Sequence, residues 1–442
     1  MNRNKSGIKR TGNCRNTVES FAGSMKKKFR VVSVWWYIYI IIVMYIVMII
    51  MACAATFERP GLFDDTSLRK RSQTIAEDGI RVSATVPRLE ESKAIFGIDL
   101  EKKKIQPLWL EIENNTDRQI YFLPTGLDPE YFSPREVSFG FHRSFSKSVN
   151  TQLDDHIESL GFRNIINPHL TSSGFVFTNS DEGSKFVTVD LIGREWTKSF
   201  TLIVPTPDRK FSEDRYNRLS SMITSSELIE AEDESRLREL LEQLPCCTSS
   251  KDGVQGEPLN IVLIGDFQDI APAFVRRNYR YTPVAPMYVF QRPQDVSVSK
   301  RDRWVAGQPH ILRSWLTSIR FQNKPVWIGQ VSTPLGGRFA RDSNDGKDVY
   351  IDSFVDDARN DLVQDIIYSQ SLVKMGFVKG VGRVMASTPR KIPSGATYHT
   401  DGLRAVLMFE RRPVSLSEIE FFGWERLVDH YRQQLDIGKS KK

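Results

Sequence analysis

The sequence predicts an α+β protein: an N-terminal membrane anchor, a β-sandwich-like domain and then a mixed α+β domain. Three observations lead there. Residues 31–55 run for 25 positions without a charge. Residues 78–206 carry short runs of alternating apolar and polar residues between close turn signals, the mark of paired strands with one buried face. Residues 258–430 mix fully apolar runs with amphipathic stretches and lack a regular strand–helix beat, which favours α+β over a doubly wound parallel sheet.

The anchor comes first. About 20 apolar residues cross a hydrocarbon core of about 30 Å as a helix. Residues 1–30 hold nine basic side chains against one acid, Glu19. Positive charge on that flank keeps it in the cytoplasm and sends the body to the other side. Residues 1–30 are thus a basic cytoplasmic arm or, if translation starts at Met25, a mis-extended start ahead of a signal peptide. Ile50-Met51-Ala52-Cys53 resembles a lipoprotein cleavage box, with Cys53 as the acylated residue. A retained span and a lipid anchor both leave residues 56–442 outside the cytoplasm and attached to a membrane.

Charge excludes one class of partner. The formal net charge is +7, and the arm alone contributes +8, which leaves −1 for the other 412 residues. Such a body lacks the basic footprint that phosphate backbones require, so no nucleic-acid partner is expected. The membrane is the expected partner, with an envelope protein or a lipid beside it.

Residues 56–77 are polar, broken at Pro60-Gly61, and read as a spacer. Strands follow at GIRVSATVP, at LWLEIE and QIYFLP around the polar turn Asn114–Asp117, and at GFVFTN, KFVTVDLIG and SFTLIVP, with Asp181-Glu182-Gly183 turning the first pair. NTQLDDHIESLG is a short helix with Leu153, Ile157 and Leu160 on one side. Residues 207–257 form a helical connector whose charged helix, SSELIEAEDESRLRELLEQL, has serines as N-caps. In the second domain PLNIVLIGDF is a buried strand and DFQDIAPAFVRRNY a helix. HILRSWLTSIRF is a helix or a long strand, PVWIGQVS a strand, and residues 356–376 a helix ending at Gly376. GLRAVLMFE and EIEFFGW are closing strands, and residues 431–442 a polar tail. The glycines of MGFVKGVGRV read as a turn, and Trp109, Trp327 and Trp424 as core or interface aromatics.

Four cysteines make no disulfide framework. Only Cys246 and Cys247 lie in the body, beside Pro245. They form either a small strained ring, a candidate disulfide of the easily reduced kind, or two unpaired thiols in a loop. The histidines do not pair at metal-ligand spacing, and HExxH, CxxC, GxSxG and Walker patterns are missing, so neither a metal nor a cofactor is expected.

Several phrases occur together in order: PLNIVLIG (258–265), HILRSW (310–315), PVWIGQ (325–330), and Ile351-Asp352 leading to Val355-Asp356-Asp357-Ala358-Arg359. Over residues 255–425 the chain resembles the LssY C-terminal domain family, and PLWLEIEN, GLDPEYFSP and LPCCTSSKDG resemble its anchored bacterial envelope members. The resemblance implies location and architecture, since that family has no established activity. Some relatives join the domain to a lipid-phosphate phosphatase. Pro393-Ser394-Gly395 is similar to that enzyme's PSGH phrase, but Ala396 stands where its His is needed. The family pattern also implies a His before Ile351-Asp352 and a further Asp after it, where this chain has Val349 and Phe354.

The strongest polar cluster is His310, Arg313, Asp352, Asp356 and Arg359. As a helix, residues 310–321 would put His310 and Arg313 on one face, and Asp356 and Arg359 pair likewise. Such a group binds an anion or runs acid–base chemistry if it converges, and ties two elements together if it does not. The expected function is a non-enzymatic binding or accessory role at the membrane surface. The alternative is a hydrolase or lipid-modifying enzyme using these five residues.

Overall fold

The computed structural model describes residues 36, 38–45, 57, 59–143, 146–181, 184–207, 228–300, 310–334, 351–411 and 413–427. Residues 36 and 38–45 are helical and exposed. Most of the anchor, including Cys53, and the whole basic arm lie outside the described residues. Among the described residues no helix is long and apolar enough to cross a membrane. The chain divides into two units, Met1–Glu58 and Arg59–Lys442, and the second contains all that follows.

Its first half is two antiparallel sheets. One has the order β1 (Gln73–Glu77), β2 (Ile80–Thr85), β3 (Ile105–Asn114), β5 (Leu170–Asn179); the other has β4 (Tyr121–Leu123), β6 (Ser184–Gly193), β7 (Trp196–Pro205). Alternation decides the packing. Val82, Ala84, Leu108, Leu110 and Ile112 of the first sheet meet Phe122, Val187, Val189, Leu191, Phe200 and Leu202 of the second in one core. The opposite face of the first sheet is covered too. There Phe96, at the end of helix α2 (Leu89–Phe96), sets its ring 4.9 Å from Phe175 and 5.4 Å from Phe177. Two short helices, α1 (Thr66–Lys70) and α3 (Pro134–Gly140), and the longer α4 (Lys147–Leu160) complete this half.

Both turns read from the sequence are corners between the sheets. Asn114–Asp117 carries the chain from β3 to β4, and Asp181 begins the passage from β5 to β6. Asn114 shapes the first: its amide donates to the carbonyls of Arg118 (2.7 Å) and Asn167 (3.1 Å), and its oxygen accepts from the Thr116 backbone (3.1 Å) and hydroxyl (2.6 Å). This side-chain mimicry of a turn is what Asn offers.

The second half is built on a nine-stranded mixed sheet. Its order is β12 (Tyr279–Tyr281), β15 (Val296–Lys300), β16 (Ile311–Phe321), β17 (Lys324–Ser332), β11 (Ile261–Ile264), β21 (Leu403–Phe409), β18 (Leu372–Lys379), β22 (Glu420–Phe421), with β8 (Ile229–Ala231) beside β16. Helices α6 (Phe267–Arg276) and α7 (Val355–Ile367) share the core on one face with Leu312, Leu316 and Trp327. Helix α5 (Glu234–Gln243) covers the other with Trp315, Ile319 and Ile328. Burial on both faces explains why β11 reads as an unbroken apolar run and β21 as one interrupted only by Arg404. A small sheet joins β10 (Gln255–Pro258), β9 (Cys247–Ser249), β13 (Tyr288–Val289) and β14 (Arg292–Pro293), and a two-stranded one joins β19 (Arg390–Lys391) to β20 (Thr397–Tyr398).

Two helix expectations are corrected here, for the connector helix and for the helix over 356–376, and one open alternative, residues 310–321 as helix or strand, is decided. The connector helix begins only at Glu234 and is capped by Asp233, whose carboxylate accepts from the Arg236 amide at 2.8 Å; the Ile229–Ala231 stretch before it is recruited as a parallel strand by β16. Residues 311–321 are a strand, because Trp315 and Leu316 are needed on opposite faces of the sheet. The helix over 356–376 stops at Ile367, and Gly376 lies inside β18, where a Cβ would come 2.7 Å from the Phe422 Cβ. Gly380 and Gly382 flank a bend at Val381 rather than form a turn, with φ of 138° and 82°.

The halves meet through buried charge. Arg280 of β12 reaches Asp128 at 2.8 Å and Asp181 at 3.6 Å, and Lys185 of β6 reaches Asp181 at 2.5 Å. All four are buried. Desolvating four charges gives back most of their attraction, so the network fixes how the halves fit more than it stabilises them.

Candidate functional site

The five polar residues picked out by sequence do not converge. His310 precedes β16 and faces α7: its Nδ1 meets the Thr333 hydroxyl at 2.9 Å, and its Nε2 lies 3.4 Å from Asp361. Three residues on in a strand, the side chain points to the other face. Arg313 accordingly faces away from α7 and donates to Gln330 Oε1 at 2.9 Å, while the Gln330 amide donates to Glu257 at 2.6 Å. Burial pushes the Glu257 carboxyl up from its ordinary value, with Arg313 opposing; burial also lowers Arg313, opposed by Glu257. The shared helical face expected for His310 and Arg313 is therefore replaced by opposite sides of a sheet.

Asp356 and Arg359, both on α7, are brought together. Arg359 donates to both oxygens of Asp401 at 2.8 and 2.9 Å and to the Leu403 carbonyl at 3.0 Å, with Asp356 3.3 Å away. Asp356 accepts from the Thr400 hydroxyl at 2.7 Å and the Asp401 amide at 2.6 Å. Burial raises the Asp356 carboxyl, Arg359 opposes this, and the neighbouring Asp401 adds to it. Asp356 and Arg359 have no exposed surface. Asp352 stands apart and accepts from the Phe354 amide at 3.0 Å, shaping the entry to α7. A cluster closed in this way ties α7 to the start of β21 and offers no face to a substrate. Among the described residues, no group of three or more His, Cys, Asp or Glu could hold a metal.

A second polar centre surrounds the cysteine pair; of the strained ring and the two unpaired thiols that the sequence left open, the structure has the thiols, and their partners were not foreseen. Cys246 and Cys247 are free thiols, the first half-buried and the second buried in β9. The Gln255 amide donates to both sulfurs, at 2.9 and 3.0 Å. Tyr398 Oη lies 3.8 Å and Arg390 Nη1 3.9 Å from the Cys247 sulfur. Arg404, fully buried, donates to the carbonyls of Leu244 (3.0 Å) and Pro245 (2.5 Å), and so grips the turn that carries the pair. The available signal was one charge, Arg404, inside the apolar run of β21.

What fold and geometry define is a mixed-sheet domain whose central polar residues neutralise one another internally. Residues 270–403 match the family described as LssY C-terminus, so the chain carries a domain of the LssY C-terminal family from within α6 to the first residue of β21. The family's function is not established. No curated protein matches the chain.

Proposed function

We propose that this is a membrane-anchored extracytoplasmic protein of the cell envelope with a binding or accessory role at the membrane surface rather than a hydrolase, its partner a lipid or another envelope protein. The observation that weighs against the hydrolase is the closure of the polar cluster. Arg359 is spent on Asp401 and Asp356, Arg313 is bound to Gln330, which in turn binds Glu257, and the two centres lie on opposite faces of a sheet. The anchor reading is supported by the uncharged residues 31–55 behind a basic arm, and the extracytoplasmic side by the direction of that charge.

The test is the mass of the mature N-terminus recovered from membranes, measured beside Cys53→Ser. An acyl adduct on Cys53 that the variant lacks makes the anchor a lipid. An intact apolar segment in the membrane fraction makes it a single span. A chain that sediments with neither membrane and stays in the cytoplasmic fraction overturns the proposal.

A further inference from the structure

Arg280 and Arg359 pair with carboxylates, and Arg313 is linked to one through Gln330. Arg404 is different. Its donors go to the main-chain carbonyls of Leu241, Leu244, Pro245, Leu259 and Gly380. Carbonyls orient a guanidinium but do not cancel its charge. Burial lowers Arg404 to about 10, and the groups that pull the other way are Cys246 and Cys247. Arg390 has the same company: it lies 3.4 Å from Tyr398 Oη and 3.9 Å from the Cys247 sulfur. Among the described residues no carboxylate pairs with either arginine. The anion this corner is built for is a thiolate.

The two sulfurs are unequal. Cys246 is half-buried and reachable, whereas Cys247 is 8 % exposed. The Cys247 thiol and the Gln255 amide both donate toward Cys246, and together with Arg390 and Arg404 they bring Cys246 down to about 6. The same hydrogen bond to Cys246, and burial, push Cys247 up. A thiolate stabilised by donors and cations is the reactive form of cysteine and also the better leaving group.

We propose that Cys246 and Cys247 form a thiol–disulfide exchange site, with Cys246 as the attacking and leaving sulfur, Cys247 as the resolving one, and exposed disulfides and thiols of proteins or small molecules as its substrates. In loading, the Cys246 thiolate attacks a substrate disulfide R–S–S–R. That bond breaks, a Cys246–S–R bond forms, and RS⁻ leaves and takes up a proton. Cys247 then gives its proton to solvent and attacks the Cys246 sulfur, forming the Cys246–Cys247 bond and releasing the second RS⁻. The second RS⁻ also takes up a proton from solvent; counted from the Cys246 thiolate and the Cys247 thiol, the pair loses two electrons and one proton, and the substrate disulfide becomes two thiols. A ring between adjacent cysteines is strained, and the stabilised thiolate favours the open form. Both effects make the oxidised pair an electron acceptor that passes its disulfide on to a substrate dithiol by the reverse steps.

The test uses the full chain, reduced, then exposed to oxidised glutathione at neutral pH, with the peptide holding both cysteines read by mass spectrometry. The expected product is an adduct-free peptide lighter by two hydrogens. Cys247→Ser should stop at a glutathione adduct on Cys246, and Cys246→Ser should form adduct at least tenfold more slowly. Iodoacetamide alkylation of Cys246 should be half-maximal near pH 6, with Arg390→Met moving that midpoint upward. A wild-type peptide that stays reduced, or stops at a stable glutathione adduct, overturns the proposal, as does an alkylation midpoint at the ordinary thiol value near 9.

Discussion

Arg359 and Arg404 lie in the same domain, and neither has exposed surface. Arg359 is answered by a bidentate carboxylate with a second carboxylate beside it. Arg404 is answered by carbonyls and two thiols. The first arrangement is electrostatically closed. It locates a helix against a strand and has no charge left for a ligand. The second leaves positive potential at a turn where one sulfur is reachable. Charge type alone did not separate the two; the difference is whether the counter-charge is already in the fold.

The largest effect that breaks the comparison is Arg359→Met. It strands Asp401 and Asp356 in a dry site, and breaking a buried pair from one side costs about 3–5 kcal/mol. Urea unfolding should show that loss, while Cys246 in the folded fraction alkylates at the wild-type rate. A loss below about 1 kcal/mol, the range of exposed ion pairs, would mean the cluster is open after all.

A smaller effect comes from Glu257. Its folded carboxyl titrates above the ordinary 4.5 because burial disfavours the charge. Between those values the native chain holds a proton that the unfolded chain has lost. The resulting stability is full below about pH 4.5 and disappears as pH rises through the folded value. Glu257→Gln removes that titration. The stability of the variant relative to wild type should therefore climb as pH rises from 4.5 through the folded value. A flat or falling difference would place Glu257 among ordinary ionised carboxylates and leave Arg313 better neutralised than its geometry implies.

How much of this was legible follows from the range of each interaction. β11, β17 and β21 were readable because burial on both faces leaves largely apolar runs, and α6 and the start of α7 because their apolar spacing is local. The stretch over Ile229–Ala231 and the second half of 356–376 were not, because β16 and β21 recruit them as strands from far along the chain. The resemblance carried the family but no chemistry. His310, Arg313, Asp352, Asp356 and Arg359 were individually conspicuous, yet their grouping depended on one ambiguous element. The partners of Cys246 and Cys247, namely Gln255, Arg390, Tyr398 and Arg404, span about 150 positions and could be assembled only by the fold.

That ambiguous element supplies the smallest and sharpest prediction. If residues 310–321 were helical, His310 and Arg313 would be neighbours on one surface, and replacing both would show coupling. As a strand, β16 rises about 3.3 Å per residue, separating the two by about 10 Å with side chains on opposite faces. Their partners are disjoint as well: Thr333 and Asp361 for His310, Gln330 and Glu257 for Arg313. Sites so separated add within about 0.5 kcal/mol. His310→Ala alone should cost about 1 kcal/mol, the worth of its hydrogen bond to Thr333. Arg313→Met should cost more, because it leaves the buried Glu257 carboxylate without its cation. In a cycle of the two, an interaction energy above about 1 kcal/mol would join the faces into one site and reopen the hydrolase reading. A value near zero would leave them as two structural pairs on either side of one strand.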